Sequence, residues 1–159
     1  GSLTGDDIAG GAVGTAKFSG TIPVAKAVGN HQQIATNNTP EVMSFGAEDY
    51  DSADLHSTSE NSSRLTAPVA GVYRVATTVS WVASGDGIRQ IQLVKNGGTV
   101  AAFTRQQKEV LESQDLSTEV KLAAGDYLEV VVLQFQINSG FGGIGVFPIQ
   151  FTMPWVAPG

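Results

Sequence analysis

The clearest pattern of hydrophobic and polar positions lies within Leu65 to Val82, which reads LTAPVAGVYRVATTVSWV. A corner containing Pro68 and Gly71 opens this stretch, and a strict alternation follows. One side carries Tyr73, Val75, Thr77, Val79 and Trp81, and the other carries Arg74, Ala76, Thr78 and Ser80. A period of two with β-branched and aromatic residues is typical of a strand with one face on a core. We therefore predict that this is the central strand of the fold.

Similar patterns predict further strands on both sides of the central one. The candidates are Val24 to Val28, Glu41 to Phe45, Arg64 to Ala67, Gly87 to Lys95, Thr99 to Thr104, Leu116 to Leu122, Tyr127 to Phe135 and Val146 to Val156. Asn96-Gly97 is the strongest hairpin signal, because both central positions of that turn favour positive φ. Pro148 and Pro154 lack an N–H donor, so the last strand is expected to have an irregular or edge-like end. Residues 47–63 are polar and acidic and predict a long exposed loop.

These elements predict an all-β domain. The chain has 159 residues with 19 glycines and 15% charged residues, and no window has the period of a useful amphipathic helix. Eight to ten antiparallel strands are the content of a two-sheet jelly roll. An immunoglobulin-type sandwich is the alternative, although it usually needs fewer strands.

Composition excludes several classes of partner. The net charge is −6 with nine Lys and Arg in total, which argues against a nucleic-acid surface because phosphates require a basic patch. There are no cysteines, so disulfides and thiolate metal sites are excluded. No apolar run approaches the ~20 residues that span a bilayer, so no membrane insertion is expected. The N-terminus lacks the pattern of a secretory signal, and Gly1-Ser2 has the form of a remnant of tag cleavage.

Residues 1–23 are expected to be separate from a head domain formed by residues 24–159. They are small and weakly patterned, with Ile8, Val13 and Phe18 spaced five apart in IAGGAVGTAKFSG. Such a segment buries too little surface to order itself alone, which favours a flexible linker. The sequence of this segment also resembles the repeats in the shafts of phage tail fibres, in which chains order by winding together. A stalk is therefore the second interpretation.

Three sequence stretches in the head domain resemble those of one known family. They are RLTAPVAGVYRV (Arg64 to Val75), RQIQLVKNGGTV (Arg89 to Val100) and KLAAGDYLEVVV (Lys121 to Val132), and an aromatic strand closes the domain. Their spacing is similar to that of the globular head of the complement C1q and tumour-necrosis-factor-like family, over residues 24–157. The resemblance implies an all-β, two-sheet antiparallel jelly roll of about ten strands that assembles as a compact homotrimer on a fibrous stem.

The Tyr127 to Phe135 strand gives an independent indication of self-association. Leu128, Val130 and Val132 suit the core, but Val131, Leu133 and Phe135 face the other way and are equally apolar. An exposed patch of this kind is a liability on a monomer. We therefore expect these three residues in the trimer interface, the alternative being that a loop or the N-terminal segment covers them.

Alternating connections predict two chemically different ends. The tight turns APVAG, KNGG and AAGD are expected at one end with both termini, and the longer connections are expected at the opposite tip. These are residues 83–87, 105–113 and 137–145, with part of the 46–58 loop. Loops on a rigid scaffold commonly carry binding residues. The candidate receptor-binding residues are Asp86, Arg105, Gln107, Lys108, Glu109, Asn138 and Phe141.

Motifs for catalysis or cofactor binding are weak. GFGGIG at residues 140–145 matches G-x-G-x-x-G but lies between strands, so no helix N-terminus is available to bind phosphate. Asp49, Asp51 and Asp54, with Glu48 and His56, could supply oxygen ligands to calcium. Their spacing does not match a calcium loop, so an acidic solvated loop is the favoured interpretation and neither a metal nor another cofactor is assigned. No G-x-S-x-G, H-E-x-x-H, P-loop or thiol supports an enzyme.

The resemblance to the family head, together with the stalk-like N-terminus, indicates a non-enzymatic binding protein. The expected function is a trimeric receptor-binding head at the tip of a phage or phage-like tail fibre. It would recognise a bacterial cell-surface glycan or protein, at the virion surface or outside the cell. Two alternatives remain open, namely a secreted or spore-surface adhesin of the same fold and a structural cap that trimerises a fibre.

Overall fold

The structure, a computed structural model, describes residues 21–29, 32–34, 38–81, 87–108, 113–136 and 144–159. These residues contain twelve strands and no helix. The strands are β1 (Ala25–Gly29), β2 (Gln32–Ile34), β3 (Glu41–Val42), β4 (Ala47–Asp51), β5 (Arg64–Thr66), β6 (Gly71–Trp81), β7 (Gly87–Lys95), β8 (Thr99–Lys108), β9 (Ser113–Leu122), β10 (Tyr127–Gln136), β11 (Ile144–Thr152) and β12 (Trp155–Ala157). No helix long and apolar enough to cross a membrane occurs in these ranges.

The strands form two antiparallel sheets. The seven-stranded sheet has β9, β6, β11, β1 and β4 side by side, with β12 beside β6 and β2 beside β11. The five-stranded sheet has β3, β10, β7 and β8 in order, with β5 also beside β10. The predicted all-β, two-sheet class is therefore confirmed, and several of the strands are short pieces at sheet edges.

The predicted central strand is confirmed as β6. It pairs with β9 from Gly71↔Leu122 to Ser80↔Ser113 and with β11 and β12 on its other side. All five residues of its predicted inner face are buried. The Tyr73 hydroxyl donates to the Val69 carbonyl at 2.7 Å, and burial raises the pKa of this phenol. The alternation thus predicted both the place of the strand and the face that it buries.

One hydrophobic core lies between the sheets. Leu128, Val130 and Val132 of β10 face it, as predicted, opposite β6. Ile149, Phe151 and Met153 are also buried in it, and the strand that carries them breaks at Pro154 before β12. The irregular end predicted from this proline is therefore present.

The three tight turns meet at one end of the sandwich, as predicted. The Gly125 N–H donates to the Ala67 carbonyl at 2.8 Å, and the Asn96 N–H donates to the Tyr127 carbonyl at 3.0 Å. Asn96 and Gly97 have φ values of 51° and 70°, which fits their hairpin. The Trp155 N–H donates to the Pro23 carbonyl at 2.8 Å, so both the start and the end of the described chain lie at this end. We call it the turn end.

The exposed loop predicted for residues 47–63 is wrong at residues 47–51, which form a strand, and at Leu55 and His56, which are buried, but residues 52–63 form no strand. Ala47–Asp51 forms β4 beside β1, and Leu55 and His56 are buried. The Asp51↔Ala25 pair lies at the turn end, so this part of the segment does not lie at the opposite tip. Residues 52–63 then connect the edge of one sheet to the edge of the other, and Leu55 fills the space between them. The segment is polar because most of its other side chains face water.

The loop predicted for residues 105–113 is also mostly strand. β8 continues to Lys108 and β9 begins at Ser113. Backbone pairing with β7 continues through Arg105↔Gln90 and Gly87↔Lys108, which holds these polar residues extended. The 23/24 boundary between segment and head stays a prediction, since residues 1–20 lie outside the described ranges.

Candidate functional site

Six strand ends meet at the end opposite the tight turns, which we call the far end. They are tied by the pairs Ser80↔Ser113, Gly87↔Lys108, Gln136↔Gly87 and Val146↔Trp81. Residues 82–86, 109–112 and 137–143 connect these strand ends. These connections lie outside the described residues, and so do Asp86, Glu109, Asn138 and Phe141. Their receptor-binding role therefore stays a prediction, but the strands that flank them end on the side of the sandwich opposite the tight turns, as predicted.

Arg105 is the far-end candidate whose side chain the structure describes. It is exposed on β8, and its guanidinium carbon lies 5.0 Å from the ring centroid of Phe135. A cation over an aromatic face is electrostatically favourable. Gln107 and Lys108 follow on the same strand, at its far end. Arg105 is thus held against the outer face of the five-stranded sheet, below the connections.

A buried polar layer, formed by Trp81, Arg89, Gln114 and Gln134, lies between the sheets near the far end. The Trp81 Nε1–H donates to the Gln114 Oε1 at 3.1 Å, and the Gln114 amide donates to the Arg89 carbonyl at 3.4 Å. The Arg89 guanidinium donates to the Ile88 carbonyl at 3.2 Å and lies 5.9 Å from the Trp81 ring. Burial lowers the pKa of Arg89.

Sequence reasoning missed this layer, although alternation could have found it. Arg89 shares its face with Ile91 and Leu93, so its parity assigns it to the core. Gln114 and Gln134 likewise continue the inner faces of β9 and β10. Buried polar groups are expensive unless they are hydrogen-bonded, so the layer fixes specific side-chain positions below the far-end connections.

The predicted interface residues are less exposed than the sequence suggested. Val131 and Leu133 are only 6% and 8% exposed in the single chain, and with Val94 and half-buried Phe135 they form a second apolar cluster. This cluster lies on the outer face of the five-stranded sheet. The premise of a wide-open patch at these residues is therefore wrong, and their place in a trimer interface stays a prediction.

The calcium candidates do not come together. Asp49 forms an ion pair with Lys26 at 2.6 Å, while Asp51 accepts the backbone N–H groups of Ala53 and His56. Asp54 lies at the rim of a separate pocket. No group of three or more His, Cys, Asp or Glu side chains within the described ranges is arranged to hold a metal.

That pocket lies at the side of the sandwich and has a volume of about 210 Å³. Its lining residues are mainly polar, namely Asp54, Leu55, His56, Ser57, Glu60, Asn61, Arg64 and Thr66. The His56 ring is buried beneath it, with Nδ1 2.7 Å from Glu48 and Nε2 3.1 Å from the Ser62 carbonyl. Arg64 is engaged with Glu129 at 3.2 Å and with the Tyr127 ring at 4.0 Å. These contacts stabilise the segment between β4 and β5.

Many solved structures match this architecture, and two of them are described here. The globular domain of the zebrafish complement 1qA protein superimposes with a TM-score of 0.61 at 14% identity, covering 87% of this chain and all of that one. The chain has the C1q/TNF-like jelly-roll fold. The Eiger TNF of S. frugiperda also matches, with a TM-score of 0.57 at 13% identity, covering 87% of this chain and 94% of that one. Neither a protein-family model nor a curated protein sequence matches the chain.

The two structural matches confirm the fold that three short sequence stretches indicated. At 13–14% identity, this similarity concerns the architecture alone. Function must therefore be argued from the site itself.

Proposed function

We propose that this protein is a non-enzymatic, trimeric receptor-binding head at the tip of a phage or phage-like tail fibre. Its far-end connections bind a glycan or protein on the bacterial surface. The observation that carries this proposal is the separation of the two ends. The chain enters and leaves beside three short turns, and three further connections start from the opposite end.

The two ends suit different roles. At the turn end, direct hydrogen bonds between turns make a stiff base beside the point where an N-terminal stem would join. At the far end, the polar layer around Trp81 and Gln114 supports the strand ends from inside the sandwich. Binding sites on loops depend on such a rigid scaffold. The architecture therefore suits a head that presents its far end to a surface.

Trimer formation would raise the overall affinity for a surface to which each single site binds weakly. Linked sites can exceed the affinity of a single site by roughly 10²- to 10⁴-fold without any new contact. Three identical far ends on one stem would point in the same direction, because the stem joins each chain at its turn end. The proposed localisation is accordingly the virion surface, with the N-terminal segment leading into a fibre shaft.

Binding of the labelled protein to bacteria, and competition with phage adsorption, test the proposal. Variants replace residues 109–112 or 137–143 with Gly and Ser, and Val69→Ser in an exposed turn at the other end serves as control. We expect either replacement to reduce cell binding and competition, while the control variant retains both. Equal binding by all variants, with sedimentation confirming the same oligomer, would contradict the far-end assignment.

A further inference from the structure

The chain contains one Asn-Gly pair, Asn96-Gly97, and this pair is chemically reactive. Asparagine is a thermolabile residue, because the main-chain nitrogen of the next residue can attack its side-chain amide carbon and expel ammonia. A following glycine has no side chain to obstruct this attack. The residue types alone therefore mark Asn96 as a site of spontaneous deamidation.

The structure engages the Asn96 side chain at both of its polar atoms. Nδ2 donates to Oδ1 of Asp126 at 2.7 Å, and Oδ1 of Asn96 accepts the Tyr127 N–H at 2.9 Å. Both partners lie at or just before the start of β10, outside the Asn96 hairpin. Because the amide group is planar, bonds to its oxygen and to its nitrogen together fix its orientation. Attack by the Gly97 nitrogen therefore requires the side chain to leave these partners.

The backbone of the hairpin opposes the reaction as well. Asn96 and Gly97 have φ values of 51° and 70°, and the Gly98 N–H donates to the Lys95 carbonyl at 3.1 Å. The Asn96 N–H donates to the Tyr127 carbonyl at 3.0 Å, which ties the hairpin to β10. Closure of an imide ring uses the Gly97 nitrogen and fixes the adjacent backbone torsion of Asn96 within the ring. The turn must therefore open locally before the reaction can proceed.

Protection of Asn96 depends on these contacts and not on burial. Asn96 and Gly97 are both exposed, so water, the second reactant, reaches them. Hydrogen bonds from Lys95, Asn96 and the Ala123 N–H lower the pKa of Asp126 to about 2, so its side chain is a carboxylate at neutral pH. A charged acceptor makes a stronger hydrogen bond than a neutral one. Asp126 is therefore the main restraint on the Asn96 amide.

We propose that Asn96 is a conditional deamidation site, protected while Asp126 holds its side chain and reactive when the turn end opens. In the reaction, the Gly97 nitrogen bonds to the Asn96 amide carbon, the bond from that carbon to Nδ2 breaks, and ammonia leaves with the proton of the Gly97 N–H. Water then adds to either carbonyl of the imide and opens the ring. The product is an aspartyl or an isoaspartyl residue, and no oxidant, reductant or cofactor is needed.

The product cannot restore the contacts of the turn end. An aspartyl side chain at position 96 lacks the Nδ2 donor, and its carboxylate would face that of Asp126 across the 2.7 Å that the hydrogen bond now spans. Two neighbouring carboxylates repel each other. The isoaspartyl product lengthens the main chain by one carbon within the hairpin between β7 and β8. Deamidation thus makes a transient opening permanent, and it limits the working life of the head irrespective of what the far end binds.

Peptide mapping by mass spectrometry measures the reaction directly. The folded protein and the same protein unfolded in urea are incubated at mildly alkaline pH, and the fraction of deamidated Asn96 is followed over time. Because the folded chain reacts only through its locally opened fraction, we expect its rate to be lower by roughly tenfold or more. Equal rates in the two states would overturn the proposal, and this comparison needs no variant.

Asp126→Ala tests which contact protects the site. We expect folded-state deamidation to speed up by roughly tenfold, since a loss of about 1.4 kcal/mol in local stability changes the opened fraction by that factor. His56→Ala is the matched control, because it removes a hydrogen-bonded side chain from a different part of the sandwich. Its rate should stay close to that of wild type, with thermal unfolding showing that both variants are folded at the incubation temperature. An unchanged rate in Asp126→Ala, or an equal acceleration in both variants, would overturn local protection by Asp126.

Asn96→Asp tests the consequence of the modification, because it reproduces the aspartyl product. We expect this variant to have a lower thermal midpoint than wild type at neutral pH. Asn61→Asp is the control, since Asn61 is also exposed with a φ of 51° but lies outside the Asp126 network. The control should change the midpoint far less. Equal midpoints for Asn96→Asp and wild type would show that the turn end tolerates the product, and would overturn the proposed loss of contacts.

Discussion

Asn96 and Asp126 lie on two different turns and are joined by a hydrogen bond of 2.7 Å from the Asn96 side-chain amide to Oδ1 of Asp126. The Asn96 side-chain carbonyl in turn accepts the Tyr127 N–H at 2.9 Å. Oδ2 of Asp126 accepts the Ala123 N–H at 2.8 Å and lies 2.7 Å from the Lys95 ammonium group. This network connects the turn before β10 with the hairpin between β7 and β8.

The first prediction concerns stability at low pH. Hydrogen bonds from Lys95, Asn96 and Ala123 lower the pKa of Asp126 to about 2, whereas an unfolded chain has a value of about 3.9. Since the folded pKa is lower, the stabilisation is present above pH ~4 and is lost as the pH falls through ~2. We expect Asp126→Asn to lower the thermal midpoint at pH 7, and the difference from wild type to shrink between pH 4 and 2.

Asp115→Asn is the control for this experiment. Asp115 is also a carboxylate, but it is exposed on β9 and accepts a hydrogen bond from the Thr78 hydroxyl. Its removal should leave most of the acid-dependent loss of stability in place. A wild-type profile that is superimposable on that of Asp126→Asn across this pH range would contradict the prediction.

The second prediction concerns Gly71, at the start of the central strand. A Cβ built on Gly71 would lie against the Trp155 indole Nε1 and 2.7 Å from the Ala157 carbonyl, so β12 would have to move. Overpacking of this kind typically costs 1–3 kcal/mol, and we expect Gly71→Ala to lose about that much stability in urea denaturation. Gly46→Ala is the matched control, because nothing lies within 4 Å of its Cβ position. Equal stability of the two variants would show that β12 adapts freely.

The elements that the sequence predicted well are those in which local and tertiary demands agree. In β6, alternation, β-branched residues and burial all coincide, and at Asn96-Gly97 the turn chemistry alone sets the geometry. The common end of the tight turns followed from the parity of antiparallel connections. The family resemblance added the fold, which the two structural matches confirmed.

The edge strand β4 and the buried part of residues 52–63, which sequence reasoning missed, depend on tertiary contacts without a local signal. β4 is a polar edge strand that exists because β1 offers backbone partners, and Leu55 and His56 are buried only because two sheet edges meet there. Arg89 and Gln114 lie on core faces but are hydrophilic, so polarity obscured their position. The position of the far-end connections could be predicted from the topology. The chemistry of binding there depends on loop conformations, which the alternation of hydrophobic and polar residues does not specify.

The third prediction concerns the buried His56. Its ring lies between the Glu48 carboxylate and the Ser62 carbonyl, and the Phe45 ring meets it edge-on at 6.3 Å. Removing one partner of a buried polar network typically costs about 1–3 kcal/mol. We expect His56→Ala to lose stability in this range and to speed amide hydrogen exchange in residues 52–63. Ser59→Ala, on the exposed part of the segment, should change neither, and a His56→Ala variant with unchanged exchange would contradict this role.

The last prediction tests whether Trp81 and Gln114 act as a unit near the far end. Gln114→Ala leaves the buried Trp81 Nε1–H without the acceptor that now lies 3.1 Å away, which should cost about 1–3 kcal/mol. Trp81→Phe removes the donor, so the double variant should lose less stability than the two single losses combined. Contacting residues typically show coupling of about 0.5–3 kcal/mol in such a cycle. Urea denaturation of the four proteins measures it, and additivity within ~0.3 kcal/mol would mean that the hydrogen bond contributes nothing to the layer below the connections.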